Sequence, residues 1–311
     1  MTSPTRDVKQ GPPEVTWEFL RSLGFTSINE SNTERATTML LYGNSGSGKT
    51  WFAGTAGRRT LYINLGKGLV TLNSPGFRKA NPNFDVSTMI VKNLVEDLGD
   101  HGIVDKPQLF DATCQAIDMA LEKFPHMFDT IVVDDASYLR KGALNKGLLF
   151  NQTTGRSQTR AAIDKYNVSM AAVQDFGAEM NLIEQFVAGY TTIAKEVDKN
   201  FILLAHERIT YTKPVDREGR PLLGQPPMVH RIQPGFIGEK FPDEIVKYFD
   251  CTWRAYVVGA STARSYRILT EGNEQITART RANGIFKYEI NQSEFTLSSV
   301  LEKIRNASVQ L

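Results

Sequence analysis

The chain has 311 residues, 41% of them hydrophobic and 23% charged, with a formal net charge of +2. That composition supplies apolar material for one large core or two modest ones and excludes a chain that is disordered throughout. With so small a net charge, affinity for nucleic acid has to come from local clusters of Lys and Arg, not from the field of the whole molecule.

The opening stretch, "MTSPTRDVKQGPPEV", is polar and proline-bearing, with no apolar signal region. Residues 1–36 read as a polar leader with a short amphipathic helix at "WEFLRSLGF", Trp17 to Phe25. No later run reaches the roughly 18 to 20 apolar residues of a membrane span, so a cytoplasmic protein is expected. Cys114 and Cys251 lie far apart, without metal-ligand spacing and in apolar segments, which fits small buried thiols in a reducing compartment.

From residue 37 strands and helices alternate. "TTMLLYG" reads as a strand running into a glycine loop, and "KTWFAGTAG" as a helix ending near Gly57. "TLYINL" and "VSTMIVKNL" are two further strands. In "PQLFDATCQAIDMALEKF", Leu109, Phe110, Cys114, Ile117, Leu121 and Phe124 recur at helical spacing, so the segment is an amphipathic helix. "FDTIVVDDASYL" is a near-continuous apolar run closed by two aspartates, as a parallel strand buried on both faces reads. A long helix over "QDFGAEMNLIEQFVAGYTTIAKEVDK" and another buried strand, "NFILLAHE", follow. "CTWRAYVVG" and "ARSYRILT" read as neighbouring strands joined by a short turn. The expected fold is therefore α/β, a mostly parallel central sheet flanked by helices with an antiparallel C-terminal part. It spans residues 37–290, with a C-terminal helix in 291–311 ("SEFTLSSVLEKIRN").

The glycine loop carries the chemistry. Gly43, Asn44, Ser45, Gly46, Ser47, Gly48, Lys49 and Thr50 satisfy G-x-x-x-x-G-K-[ST], between a strand and a helix as that motif requires. Glycines let the backbone turn its N–H groups inward onto phosphate oxygens; Lys49 would neutralise the β- and γ-phosphates and the Thr50 hydroxyl would ligate Mg²⁺. Bound Mg·ATP is the expected cofactor. Such a loop needs an acid at the end of another buried strand to orient the metal shell, and "IVVDD" offers Asp134, followed by Asp135. Two candidate strands lie between these elements. They suggest a strand inserted between the loop strand and the Asp134 strand, which favours a RecA/AAA-like branch over kinase- or GTPase-like proteins.

The order "LLYGNSGSGKT", "LYINLGKGL", "FDTIVVDDASYL", "NFILLAHE" and a basic "ARTRANG" resembles the phage-type RecA-like P-loop ATPases of single-strand DNA annealing and recombination, over roughly residues 37 to 286. The resemblance implies a RecA-like P-loop NTPase of the AAA/RecA superfamily. It would be a DNA-binding homo-oligomer, ring or filament, with single-stranded DNA and a single-strand-binding protein as partners. It places His206 where RecA-like proteins keep a γ-phosphate sensor; the alternative is a histidine that only ends a strand. Arg279 and Arg281 match a basic pair that reaches a neighbouring subunit's nucleotide, or else they belong to an exposed strand edge and turn. The family's usual catalytic glutamate is missing: "INLGKGL" has Asn64, Gly66 and Lys67 but no acid. Asp135 is then the remaining acid near the metal end, with helix capping as its other reading, and slow hydrolysis is expected.

Two segments offer cations with aromatic neighbours, the pattern that tracks a phosphate backbone and stacks bases. "FNQTTGRSQTRAAIDKYN" carries Arg156, Arg160 and Lys165. "ERITYTKPVDREGRPLLGQPPMVHRIQPGF" carries Arg208, Lys213, Arg217, Arg220 and Arg231, interleaved with Tyr211 and Phe236 and diluted by Glu207, Asp216 and Glu218. Both also read as ordinary solvated connections. An AAA-type helicase loader or other protein-remodelling ATPase stays open as a rival, as does a small-molecule kinase.

Overall fold

In a computed structural model, the described residues are 36–57, 59–66, 68–82, 89–96, 107–153, 173–214, 224–260, 263–281 and 284–309, together with residues 18, 171, 218, 220 and 222. The predicted N-terminal helix lies outside them apart from Glu18, as do Lys67, Arg156, Arg160, Lys165 and Arg217.

Apolar β-branched and aromatic runs form the strands β1 (Thr38–Gly43), β2 (Thr60–Asn64), β3 (Ile90–Asn93), β4 (Thr130–Asp134) and β5 (Asn200–Thr212). After them come β6 (Met228–Pro234), β7 (Cys251–Val258), β8 (Ser265–Leu269), β9 (Arg279–Thr280) and β10 (Glu289–Asn291). The helices are α1 (Lys49–Gly54), α2 (Leu69–Leu72), α3 (Pro75–Ala80), α4 (Leu109–Lys123), α5 (Ala136–Thr153), α6 (Val173–Glu196), α7 (Phe241–Val246) and α8 (Leu297–Val309). Among the described residues the sheet order is β10-β8-β7-β1-β5-β4-β2-β3, with β6 paired to β5 and β9 to β7. β7, β1, β5, β4, β2 and β3 run parallel to their neighbours, and the β7–β8–β10 end is antiparallel, as expected.

One expectation holds for a different reason. A strand does separate the loop strand β1 from the Asp134 strand β4, but it is β5, not one of the two strands that follow the loop in sequence. β2 and β3 lie beyond β4. A second correction concerns the segment after His206, read above as a loop: β5 continues through it to Thr212 and pairs antiparallel with β6.

Alternation along the strands sends side chains to two cores. On one face Leu40, Tyr42, Ile131, Val133, Phe201 and Leu203 pack against Leu109, Phe110 and Ile117 of α4, Leu139 of α5 and Phe186 of α6. Cys114, Leu121 and Phe124, the rest of the predicted α4 stripe, are half-buried against that core. On the other face Met39, Leu41, Val132, Ile202, Leu204 and Trp253 meet Phe52 of α1, Phe77 of α3 and Leu297, Val300 and Ile304 of α8. The result is three layers, helices over both faces of one sheet. Cys251 is buried and Cys114 half-buried, both as thiols. None of the described helices is long and apolar enough to cross a membrane.

Candidate nucleotide site

The carboxyl ends of β1, β4 and β5 come together because the three strands are parallel neighbours, and the glycine loop leaves β1 at that edge. Gly48, at the start of α1, has φ 87°, a left-handed conformation that favours glycine. Lys49 is buried, and its Nζ donates to the carbonyls of Gly43 at 2.8 Å and Asn44 at 2.9 Å, so the ammonium sits inside the loop. Burial lowers its pKa, opposed by the charges of Asp135 and Asp134. Ser47 Oγ is buried beside Gly43 and has no protein partner among the described residues.

Opposite the loop, Asp134 is 6% exposed, and its Oδ2 accepts from Thr50 Oγ1 at 2.9 Å and from Tyr62 Oη at 2.6 Å. Burial pushes the Asp134 carboxyl above the usual aspartate range, while the hydroxyls of Tyr62 and Thr50 pull it back. Tyr62 stands on β2 two residues before Asn64, which pairs with Asp134, so both side chains leave the sheet on one face. Gly68 completes the cradle: a Cβ there would lie 2.3 Å from Asp134 Oδ2. No cluster of three or more His, Cys, Asp or Glu that could hold a metal alone occurs among the described residues. A magnesium ion needs none, because it keeps waters and takes one or two protein oxygens with those of substrate phosphates. One carboxylate, one hydroxyl, one ammonium and an open glycine loop fit Mg·ATP.

Asp135 caps a helix. Its Oδ1 accepts from the backbone N–H of Ser137 at 2.8 Å and Tyr138 at 3.3 Å, capping α5. Its Oδ2 lies 3.2 Å from His206 Nε2. His206 therefore reaches the cavity edge tied to Asp135. The place of the missing glutamate is filled otherwise: a Cβ on Gly66 would sit 2.8 Å from the Tyr138 ring, and Asn64 gives its amide to Gly66 O and to Asn93.

Loop, Asp134, Asp135, His206 and Tyr138 line one cavity of about 880 Å³. Its far wall is made by Tyr266 of β8 and the turn after β10, residues 291–296.

Residues 35–282, well over half of the chain, match the family described as an AAA domain. The chain belongs to this AAA-domain family. No curated protein matches it. As an AAA domain the chain is a nucleotide-binding module of ATPase type with an α/β P-loop fold.

Other predicted residues lie elsewhere in the AAA domain. Arg279 pairs with Thr252 near the start of β7, the end of the sheet away from the loop, and its guanidinium donates to the carbonyls of Val246 and Phe249. Arg281 bonds Lys247 O at 2.7 Å and lies 3.3 Å from Asp250. Neither meets the nucleotide cavity of its own chain. Arg208 holds the carbonyl of Gly238 at 2.7 Å, and Arg231 forms a two-pronged pair with Asp243 at 2.5 Å. Glu207, counted above as diluting a basic loop, is instead buried against Arg254 at 2.9 Å. Lys213 is exposed, and Arg220 is exposed in a pair with Glu218 at 3.0 Å. The reading of the sequence missed Tyr62, Gly68, Tyr266 and Gln292.

Proposed function

We propose that this AAA domain binds Mg·ATP, hydrolyses it slowly, and acts on single-stranded DNA in recombination, annealing or replication, in the manner of the phage-type RecA-like ATPases it resembles. Lys49 and the loop N–H groups would hold the phosphates, and Thr50 and Asp134 would hold the metal. The magnesium ion supplies charge neutralisation across the phosphate oxygens. Slow turnover would follow because Gly66 and Tyr138 stand where the family keeps its glutamate. That leaves Asp135, already engaged as the α5 cap, as the acid to assist the water; full general-base assistance is worth about 10²- to 10⁴-fold.

The observation that supports a DNA role is β5 itself. One continuous strand passes from the cavity edge at His206 into a ribbon with β6, whose outer part exposes Tyr211, Met228 and Val229 beside Lys213. Aromatic and apolar faces stack bases, and cations hold phosphates without regard to sequence. Arg156, Arg160, Lys165 and Arg217 add charge to this reading, whereas Arg208 and Arg231 are engaged within the chain and Arg220 pairs with Glu218. Since Arg279 and Arg281 stand far from their own nucleotide, a catalytic part for them requires a second copy, which fits a ring or filament.

Filter binding of unrelated single-stranded oligonucleotides, with and without Mg·ATP, tests the proposal. The expected result is sequence-tolerant binding that tightens with nucleotide and weakens steeply with salt. Absence of binding at low salt would transfer the ribbon to a protein partner, as in a helicase loader. Fast turnover by a monomer with a small acceptor would point to a kinase.

A further inference from the structure

The nucleotide cavity extends past the phosphate loop to a wall whose outer part, the turn 291–296, lies beyond the family match. This wall is keyed to the loop. A Cβ on Gly48 would meet Gln292 Oε1 at 2.5 Å and the Tyr266 ring at 3.1 Å, so both side chains lie directly over the loop backbone. Gln292 Nε2 donates to Ser47 O at 3.1 Å. Behind the turn, Leu297 N donates to Thr55 Oγ1 at 2.8 Å and Ser298 N to Thr55 O at 3.1 Å, fixing the start of α8 on the end of α1. Loop and wall therefore hold one register.

The wall carries two exposed charges of opposite sign, Arg264 and Glu294, and its remaining chemistry is that of a base site rather than a phosphate site. Trp51, Tyr266 and Phe295 bring aromatic rings from three different elements, and Asn81, Asn291 and Gln292 bring amides. Aromatic faces stack any nucleobase, so they add affinity without choosing; amide edges choose. Gln292 has its amino group engaged on Ser47, and among the described residues its Oε1 accepts no hydrogen bond. Asn81 likewise gives its amino group to Phe77 O at 3.0 Å. Each amide thus has one amino hydrogen committed within the chain, while its carbonyl oxygen accepts no hydrogen bond among the described residues and is the polar atom left fully open to a base. An acceptor pairs with an exocyclic amino group and meets a base that carries an oxo group there with repulsion.

We propose that Tyr266 and the turn 291–296 form a base-reading subsite for an aminopurine nucleotide. The Tyr266 ring packs on the base, and Gln292 Oε1 accepts from the exocyclic amino group as the residue that sets specificity. The subsite rests on the nucleotide reading of the loop and adds to it which base is taken and by which residues.

Calorimetric titration of the full chain with Mg²⁺ and ATP, ITP, N⁶,N⁶-dimethyl-ATP or inorganic tripolyphosphate tests it. The unmodified protein is expected to bind ATP about 10-fold more tightly than ITP or the dimethyl analogue, the size of discrimination that one good base contact gives. In Gln292→Ala the three nucleotides become indistinguishable; the ratio is the readout, so any shared loss at the loop cancels. In Tyr266→Ala all three weaken together while tripolyphosphate does not. Equal binding of ATP and the dimethyl analogue by the unmodified protein would overturn the proposal without any variant having to fold, as would a full ATP-to-ITP ratio in Gln292→Ala. If tripolyphosphate binds as tightly as ATP, the subsite fails and the loop stands. If neither binds, the nucleotide reading fails and the subsite with it.

Discussion

Tyr62→Phe removes one buried hydroxyl and nothing else from the metal end of the site. That hydroxyl donates to Asp134 Oδ2 at 2.6 Å, and Thr50 is the other donor to the same oxygen. Tyr62 is fully buried and Asp134 nearly so, which means no water takes over the lost bond. A hydrogen bond to a charged group contributes about 1.5–3 kcal/mol, so the variant should lose roughly 2 kcal/mol of stability. At about 2–4 °C per kcal/mol for domains approaching this size, Tm should fall by roughly 4–8 °C. Partners that orient a metal ligand are worth about 10- to 100-fold in metal affinity, so Mg²⁺-dependent ATP binding should weaken by that factor. ATP binding in EDTA, which relies on Lys49 and the loop, should not change. Thermal melting and calorimetry with and without Mg²⁺ give both numbers. A lower Tm with undiminished Mg²⁺ dependence would refute the orienting role of Tyr62 and leave it a packing residue.

Lys49→Ala should abolish ATP binding while the circular dichroism spectrum stays that of the unmodified protein; retained affinity would mean the loop does not grip triphosphate through this ammonium. Asp135→Asn should keep the α5 cap, which asparagine provides as well as aspartate, and lose most of the residual turnover; undiminished turnover would place the base elsewhere. A DNA-stimulated rate of several turnovers per second in the unmodified protein would contradict slow hydrolysis. Mg·ATP affinity should also follow a pH window drawn in from both sides. Asp134 holds metal only when ionised, and burial raises its pKa, so binding present at neutral pH is lost on acidification sooner than for an ordinary aspartate. Lys49 attracts phosphate only when protonated, and burial lowers its pKa, so binding is lost on the alkaline side sooner than for an ordinary lysine. An affinity profile with edges at the values of free aspartate and lysine would contradict both assignments.

The parts legible in the sequence are those whose signal is contiguous. The glycine loop, the buried strand ending at Asp134 and the amphipathic stripe of α4 each fit in one short window, and each stands where its pattern placed it. Strand order is not local information, which is why the sequence points to an inserted strand but to β2 and β3 in place of β5. The β5–β6 ribbon reads as a loop in sequence because a two-stranded ribbon with exposed faces has no core side to impose alternation, and its charges look solvated. Tyr62 looks like any core residue of "TLYINL" until the pairing of β2 with β4 sets it beside Asp134. Gln292 lies 245 residues from the carbonyl it holds, a distance no motif spans. Arg231 and Arg208 looked available as cations because nothing near them in sequence announces Asp243 or the Gly238 carbonyl.

β5 is a single strand of 13 residues that belongs to two structures at once, clamped between β1 and β4 over its first half and carrying β6 over its second. Mechanically it is a lever whose fulcrum is where it leaves the sheet, at His206. Gly235 N ties the return strand to that same point through the His206 carbonyl at 2.7 Å, so the arm is braced at its pivot. From His206 to Thr212 the arm measures roughly 20 Å at about 3.3 Å per residue. A tilt of about 5° at the pivot carries the tip through roughly 2 Å, the width of a hydrogen bond made or broken, with no hinge or refolding required. A small displacement at His206 is therefore enlarged geometrically before it reaches the tip, and force applied at the tip returns to His206 with the same leverage.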